Sequence, residues 1–409
     1  MALRLRGLFG VSPVCHYLKM GRKMKAALLV LYLFCGSWGF AYETDQYSVP
    51  PGPLADIGED LSKFVYDRLQ QGVQEINRDL EQLPNQILKL ETEIAKYPEM
   101  PAYDPDPQNS IKQRYQKDLR ELEDLKNKLS FLKTERGLVT YLHSKYSATI
   151  TWNEQRDGVF GVGLAYMQYP ENKKNSQPVL YSQNQFKTIY SLAGFHRLIS
   201  PSYFVFASTM KAYGIQMGVD KFGHFLNQGY EYYEKYQSDL LTQSSPLMAL
   251  KTVVEWGVST EDGLFGMIVD GVYSNADLAA NFAGFIFYSN FFSDLEIEGK
   301  KYPRIFERDK NGFISWRMAS ENSKESLLRR FISPHFDESL NPSVLESPQR
   351  SIVRNAIRSR CHSWIQYNQM RSATQVKSLT DSLILWNGYD YGHRAENTLR
   401  IDEICRDLF

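Results

Sequence analysis

The stretch "DLAANFAGFIFYSNFF", residues 277–292, constrains the chain more than any other. It is apolar on nearly every helical face, yet Asp277 and Asn281 sit inside it, one turn apart. A helix of this kind is buried in a core or lies against a membrane. From Asp277 to Ser293 it has 17 residues, short for a bilayer span, so a buried or interfacial helix is expected. A buried carboxylate is costly unless it is paired or ligates a cation. Ser274, three residues before Asp277, is placed to cap the helix. Gly284 and the alanines let a second helix approach closely.

Two other stretches pose the same problem. In "VDKFGHFLNQGYEYYEKY" (219–236), Asp220 and His224 are at i and i+4, on one helical face. Lys221 is rotated about 100° from that face, and Asn227 and Gln228 extend the polar side. Glu255 is an ionisable group in the apolar helix "SPLMALKTVVEWG". The economical expectation is that Asp220, His224, Glu255, Asp277 and Asn281 meet. Such a cluster has three readings. It ligates a divalent cation through oxygen and imidazole. It runs general acid–base chemistry, with crowded carboxylates raising one pKa towards neutrality. Or it is a structural network in which Lys221 or His224 balances the acids. The residues alone assign neither a metal nor a cofactor. Ser274 as a nucleophile lacks an elbow pattern around it, and capping explains it better.

The rest of the chain divides by pattern. Residues 42–144 form the first region. "YETDQYSVPPGPLA" (42–55) reads as a flexible leader. A stripe then runs Leu69, Val73, Ile76, Leu80, Leu83, Ile87, Leu90, Ile94, with the alternating four-and-three spacing of a coiled-coil seam. Pro84 inside it should kink or restart the helix. A proline-rich turn and a second stripe (Tyr115, Leu119, Leu122, Leu129, Leu132) complete an antiparallel helical hairpin. Residues 145–294 are the helical core carrying the polar site. They begin with strand-like alternation over 145–190, and "SPSYFVFASTM" reads as a helix. Residues 295–409 are more polar. "RIFERDKNGFISWRM" places Asn-Gly between two β-prone runs, a hairpin signal. It also echoes a calcium loop, but Met318 stands where the closing carboxylate belongs. The loop "ISPHFDESLNPS" carries His335, Asp337, Glu338 and Asn341, which suit a site or turn and cap roles equally. Residues 348–370 and 373–386 read as helical.

Residues 1–41 hold six basic residues and no acidic one, then the apolar run "AALLVLYLFCG", with Gly39 and Ala41 at the positions a signal peptidase reads. A signal peptide cut after Ala41 is expected, and with it a periplasmic or secreted protein. Of 47 basic and 47 acidic residues, cleavage leaves 41 basic against 47, a net of −6. That argues against nucleic-acid binding, which wants basic patches. A membrane surface or another envelope protein is the expected partner class. Cys361 and Cys405 are the two cysteines that stay, and in an exported chain they form one disulfide.

"DKFGHF", a later isolated Glu and "SNADLAANFAG" together resemble the VanZ-like group of envelope proteins and the related YfiM-like periplasmic lipoproteins. The shared pattern falls on Asp220, Lys221, His224, Glu255, Ser274, Asp277, Ala280, Asn281 and Gly284, with Asp270 as a further acid of the YfiM-like members. It covers about residues 200–290. The multi-pass character of VanZ-like proteins and the anchor cysteine of YfiM-like ones have no counterpart here. The resemblance implies a cell-envelope protein with a polar site. The fold expected is mainly α, a helical hairpin plus a compact helical core with a small C-terminal β-hairpin. Two functions are consistent with it. One is an envelope protein with acid–base or metal-dependent chemistry on a membrane or lipid-linked substrate. The other is a non-enzymatic scaffold whose cluster is structural.

Overall fold

A computed structural model describes residues 44–97, 110–145, 179–181, 183, 187–191, 208–243, 245–263, 266–267, 271–297 and 299–409. All belong to one unit, Ala41–Phe409. The fold is mainly α-helical, with small antiparallel strand pairs. Residues 1–41, Asp270 and most of 145–190 lie outside the described residues.

Helix α1 (Gly58–Ile94) buries Leu69, Val73, Ile76, Leu80 and Leu83. Its later stripe residues Ile87, Leu90 and Ile94 are only half-buried. Helix α2 (Ser110–Leu132) packs along α1. Lys128 pairs with Asp79 at 2.7 Å, Lys126 with Glu91 at 2.6 Å, and Tyr97 donates to Asp118 at 2.7 Å. Pro84 does not restart the helix. α1 runs through it, because the buried turn at Leu80 and Leu83 holds the helix just before the missing donor. A further helix, α3, covers 135–145 and buries Leu138, Val139 and Leu142.

The leader expected over 42–55 is not loose. Thr44, Asp45, Gln46 and Tyr47 are buried. Asp45 accepts from the Ser48 hydroxyl (2.7 Å) and the Ile189 amide (2.9 Å), and Tyr47 donates to the Leu399 carbonyl (3.0 Å). Polar side chains here bind distant backbone, which composition does not reveal. Strands β1 (Leu180–Tyr181), β2 (Thr209–Ala212) and β3 (Ile215–Gly218) form an antiparallel sheet in that order. The described end of "SPSYFVFASTM" is therefore strand, not helix. The Tyr213-Gly214 turn, with φ of 51° and 84°, closes a two-residue hairpin that overrides the helical reading.

The site rests on two helices. α4 comprises Asp220–Gly223, a π-helical turn His224–Gln228, and Gly229–Leu240. α6 (Asn275–Ser289) is buried at every residue from Asn275 to Tyr288. They cross where Gly229 meets Gly284. A Cβ on Gly284 would lie 1.9 Å from the Phe225 carbonyl oxygen, and one on Gly229 would lie 2.5 Å from the Gly284 Cα. Between them in sequence lie α5 (Pro246–Glu261), started by Ser245 accepting the Met248 amide at 3.2 Å, and strand β4 (Val272–Tyr273).

The C-terminal region follows. β5 (Leu295–Ile297) pairs with β6 (Lys300–Tyr302), and β7 (Phe306–Arg308) with β8 (Ile314–Trp316). In the β7–β8 turn, Asp309 accepts from the amides of Asn311 (2.8 Å) and Phe313 (2.9 Å), so the carboxylate of the calcium-loop echo is committed to the turn. β9 (Val344–Leu345) returns to pair with β4. Helices α7 (Gln349–Arg358), α8 (Cys361–Tyr367), α9 (Ala373–Ser382) and α10 (Ile401–Ile404) complete the chain. The expected bond between Cys361 and Cys405 is present, with Cα atoms 5.5 Å apart.

The close helix crossing gives a first prediction. Gly284→Ala should cost about 1–3 kcal/mol, because backbone rather than a flexible side chain occupies the space. Urea unfolding checks this, and unchanged stability would contradict the packing described.

Candidate functional site

Asp220 opens α4 directly after β3, and Lys221 follows it into the core. Lys221 is fully buried. Its ammonium contacts Asp220 Oδ2 at 2.8 Å, Asp277 Oδ1, and Glu338 Oε1 at 2.6 Å. Lys221 is thus the hub, although a straight-helix reading turns it away from the Asp220–His224 face. This part of α4 is buried all round, so every face meets a partner. His224 begins the π turn, a wider helical turn often found at functional sites. Tyr288 of α6 donates to the Leu226 carbonyl inside that turn at 2.6 Å.

Asp277 is set by its cap. Ser274 accepts the Asp277 amide at 3.1 Å, which fixes the first turn of α6 and aims the carboxylate at α4. His224 Nε2 lies 3.4 Å from Asp277 Oδ2, and Nδ1 lies 3.0 Å from Asn281 Oδ1. The amide oxygen of Asn281 only accepts, so Nδ1 carries the proton and donates. In the neutral ring Nε2 then presents a lone pair towards a carboxylate oxygen. Two acceptors in that position call for a proton or a cation between them.

The structure brings together four of the five expected residues: Asp220, His224, Asp277 and Asn281. Glu255 is a correction. Its side chain is 64 % exposed and pairs with Lys251 at 3.7 Å on the outer face of α5. The acid that α5 buries is Glu261, whose Oε1 accepts the Ser274 amide at 2.9 Å. Glu261 therefore supports the capping residue of α6. It ends the helix, whereas the apolar run drew attention to Glu255.

Glu338 enters from the loop 332–343, as a third carboxylate on Lys221. The same loop is tied down at several points. His335 Nε2 donates to the Leu385 carbonyl at 3.0 Å, Asp337 accepts from the Ser339 hydroxyl at 2.6 Å, and the Asn341 amide group donates to the His335 carbonyl at 2.9 Å. His335, Asp337 and Asn341 thus build the loop, and Glu338 is the member that reaches the cluster. Gln46 of the N-terminal segment accepts the Glu338 amide at 3.3 Å.

Electrostatics separate the carboxylates. Burial and the neighbouring Asp277 push Asp220 up to about 6 against the pull of Lys221. Burial, with Asp277 and Asp220 nearby, pushes Glu338 up to about 7, again opposed by Lys221. Burial also penalises ionised Asp277, but His224, Lys221 and the Ser274 hydrogen bond outweigh it and hold Asp277 low. Burial pushes His224 down, opposed by Asp277. A neutral His224 cannot hold Asp277 down by charge, so near neutral pH that task falls to Lys221. Asp220, His224 and Asp277 each offer one ligand atom, all within 4.8 Å of one another, so these three residues could hold a metal ion.

Comparison with family models, with curated proteins and with solved structures finds no match for this chain.

Two predictions follow from the cluster. Lys221→Met leaves three buried carboxylates without their ammonium and should cost about 3–5 kcal/mol at pH 8. A loss below about 1 kcal/mol in urea unfolding would contradict the hub assignment. The second concerns pH. Asp220 and Glu338 have folded values of about 6 and about 7, above ordinary values of 3.8 and 4.5. Between those limits the folded state binds more protons than the unfolded state, so stability falls as pH rises. Their contribution is fully present below about pH 4 and is lost through pH 6–7. His224, pushed down, works in the opposite sense as pH falls below its ordinary 6.5. In chelator-treated protein, Asp220→Asn with Glu338→Gln should flatten the fall in unfolding free energy between pH 4 and 7. An unaltered slope would contradict the assignment.

Proposed function

We propose that this chain is an exported cell-envelope protein whose α4–α6 junction runs acid–base chemistry on a membrane or lipid-linked substrate. One observation carries the reading: among the described residues, three buried carboxylates share a single buried ammonium. A purely structural network is expected to balance its charges, because each uncompensated buried charge costs several kcal/mol. An excess of carboxylates stores exchangeable protons at neutral pH, which is what a general acid or base requires. In this reading His224 exchanges the proton, Asp277 orients and stabilises its ring, and Asn281 fixes the tautomer. Lys221 keeps Asp277 ionised, while Asp220 and Glu338 share the remaining protons.

Export is supported by the charge and apolar pattern of residues 1–41 and by the Cys361–Cys405 bond, which suits an oxidising compartment. No helix among the described residues is long and apolar enough to cross a membrane. The resemblance to VanZ-like and YfiM-like envelope proteins supports the same reading. Of the residues that carry it, Asp220, Lys221, His224, Ser274, Asp277, Asn281 and Gly284 are on the α4–α6 contact or cap it, whereas Glu255 is exposed on α5. In finer detail, residues 42–144 would be a helical hairpin arm, 145–294 the core holding the site, and 295–409 the region that closes over it.

A scaffold is the second reading, favoured by the full burial of Lys221 and Glu338. There the helical arm would be the working part and the cluster would set helix register. His224→Ala separates the two. The acid–base reading expects a folded protein, within about 1 kcal/mol of wild type in urea, because functional groups are seldom optimised for stability. That protein should fail to restore function to cells lacking it. A variant that loses several kcal/mol, with function tracking stability across a mutant series, would overturn the acid–base reading.

A further inference from the structure

The charge in the cluster points to a specific ligand. With His224 neutral, three carboxylates against Lys221 leave two negative charges when all are ionised. Among the described residues, the ion pairs of this cluster run only to Lys221 and His224. Asp220 Oδ1 and Glu338 Oε2 have no hydrogen-bond partner among the described residues, although Asp220 is 4 % exposed and Glu338 fully buried. Each belongs to a carboxylate whose other oxygen already contacts Lys221.

We propose that Asp220, Asp277 and His224 bind one divalent first-row metal ion, Zn2+ or Mn2+, beside the Lys221 ammonium. The inference rests on the acid–base site described above. Lys221 occupies Asp220 Oδ2 and Asp277 Oδ1. That leaves Asp220 Oδ1, Asp277 Oδ2 and His224 Nε2 for the ion. The Nδ1 proton is taken by Asn281, so Nε2 presents its lone pair, as a metal-ligating imidazole must. Nε2 and Asp277 Oδ2 are 3.4 Å apart, the spacing of neighbouring ligands around an ion with bonds of about 2.1 Å. Asp220, His224 and Asp277 each offer one ligand atom, all within 4.8 Å of one another. Neighbouring ligands of a tetrahedral ion with such bonds sit about 3.4 Å apart, so the widest pair closes by up to about 1.4 Å when the ion binds. Gly218 makes room for the Asp220 carboxylate: a Cβ there would stand 2.1 Å from Asp220 Oδ1.

The donor set chooses the metal. Two carboxylate oxygens with one imidazole suit Zn2+ or Mn2+. Ca2+ takes six to eight oxygens and Mg2+ keeps a shell of waters on one or two carboxylates, so neither gains from the imidazole. One divalent ion closes the charge with His224 neutral; with the ion on Nε2, His224 would be a ligand rather than the proton exchanger, and the ion would supply Lewis acidity in its place. Glu338 is not a ligand in this arrangement. It contacts Lys221 instead, at 2.6 Å.

The test is calorimetric titration of the chelator-treated, purified protein with ZnCl2 and MnCl2, with MgCl2 and CaCl2 as comparators and thermal unfolding alongside. The expected result is one Zn2+ or Mn2+ per chain, a raised unfolding temperature, and weaker response to Mg2+ and Ca2+. Asp277→Asn and His224→Ala should each weaken the ion by roughly 100-fold. Glu338→Gln keeps all three ligands and should keep one ion per chain. Wild-type protein that gives neither heat nor a thermal shift with Zn2+ and Mn2+ overturns the proposal whether or not any variant folds. So does binding that Asp277→Asn and His224→Ala leave intact, since that places the ion elsewhere. Failure here is separable from failure of the acid–base reading. A metal-free wild type with a folded but non-functional His224→Ala removes the ion and leaves the acid–base site. Stoichiometric binding in a chain whose His224→Ala variant still functions removes the acid–base role and leaves the ion.

Discussion

A buried ammonium in contact with three carboxylates is the interaction on which the rest of this structure depends. Lys221 is fully enclosed, and its contacts come from its own helix, from α6 and from the loop at Glu338. Taking four ionisable groups out of water is expensive, and their attraction repays the cost only with short contacts and fixed geometry. The surrounding structure supplies that geometry. Gly229 and Gly284 allow α4 and α6 to meet backbone to backbone. Ser274 fixes the first turn of α6, and Glu261 holds the Ser274 amide. Gln46 holds the backbone of Glu338 from an N-terminal segment that is itself buried.

Among the described residues the cluster is ordered but not balanced. Asp277 is held low and His224 is pushed down, so at neutral pH the pair is a carboxylate beside a neutral imidazole. Asp220 and Glu338 are pushed up to about 6 and about 7, the range in which protons come and go under ordinary conditions. The arrangement separates two jobs. One carboxylate keeps its charge and positions the ring, while two carry the variable protons or give them up to a cation. Groups whose surroundings drive their pKa values apart are characteristic of acid–base sites.

Much of this was legible in the sequence because its signals are local. An apolar helix carrying Asp277 and Asn281 had to be buried with partners, and Asp220 and His224 one turn apart had to share a face. Ser274 before Asp277 read as a cap. The cysteine pair followed from counting. What escaped was set by long-range contact. Lys221 sits off the Asp220–His224 face on a helical wheel, yet α4 is enclosed on every side, so the wheel does not decide. Glu255 has apolar neighbours in sequence, but α5 has an outer face exposed at Met248, Lys251, Glu255 and Ser259, and Glu255 lies on it. Glu338 lies in a polar loop where turn roles explain every residue equally well. Only the fold shows that His335, Asp337 and Asn341 build the loop and Glu338 leaves it. The leader 42–55 and the end of "SPSYFVFASTM" failed for a related reason: their backbone partners are more than a hundred residues away or depend on a two-residue turn.

The account stands on the excess of buried carboxylates over cations among the described residues of the cluster, and carboxyl protonation is its most direct measure. Isotope-edited infrared spectroscopy of chelator-treated protein, with Asp and Glu labelled at the side-chain carboxyl and with Asp220→Asn and Glu338→Gln to assign the bands, follows it with pH. The account predicts at least one buried carboxyl still protonated above pH 6, its band absent from the variant that lacks it. If all buried carboxyls are ionised by about pH 4, near their ordinary values, the cluster holds no exchangeable proton and the central claim is wrong.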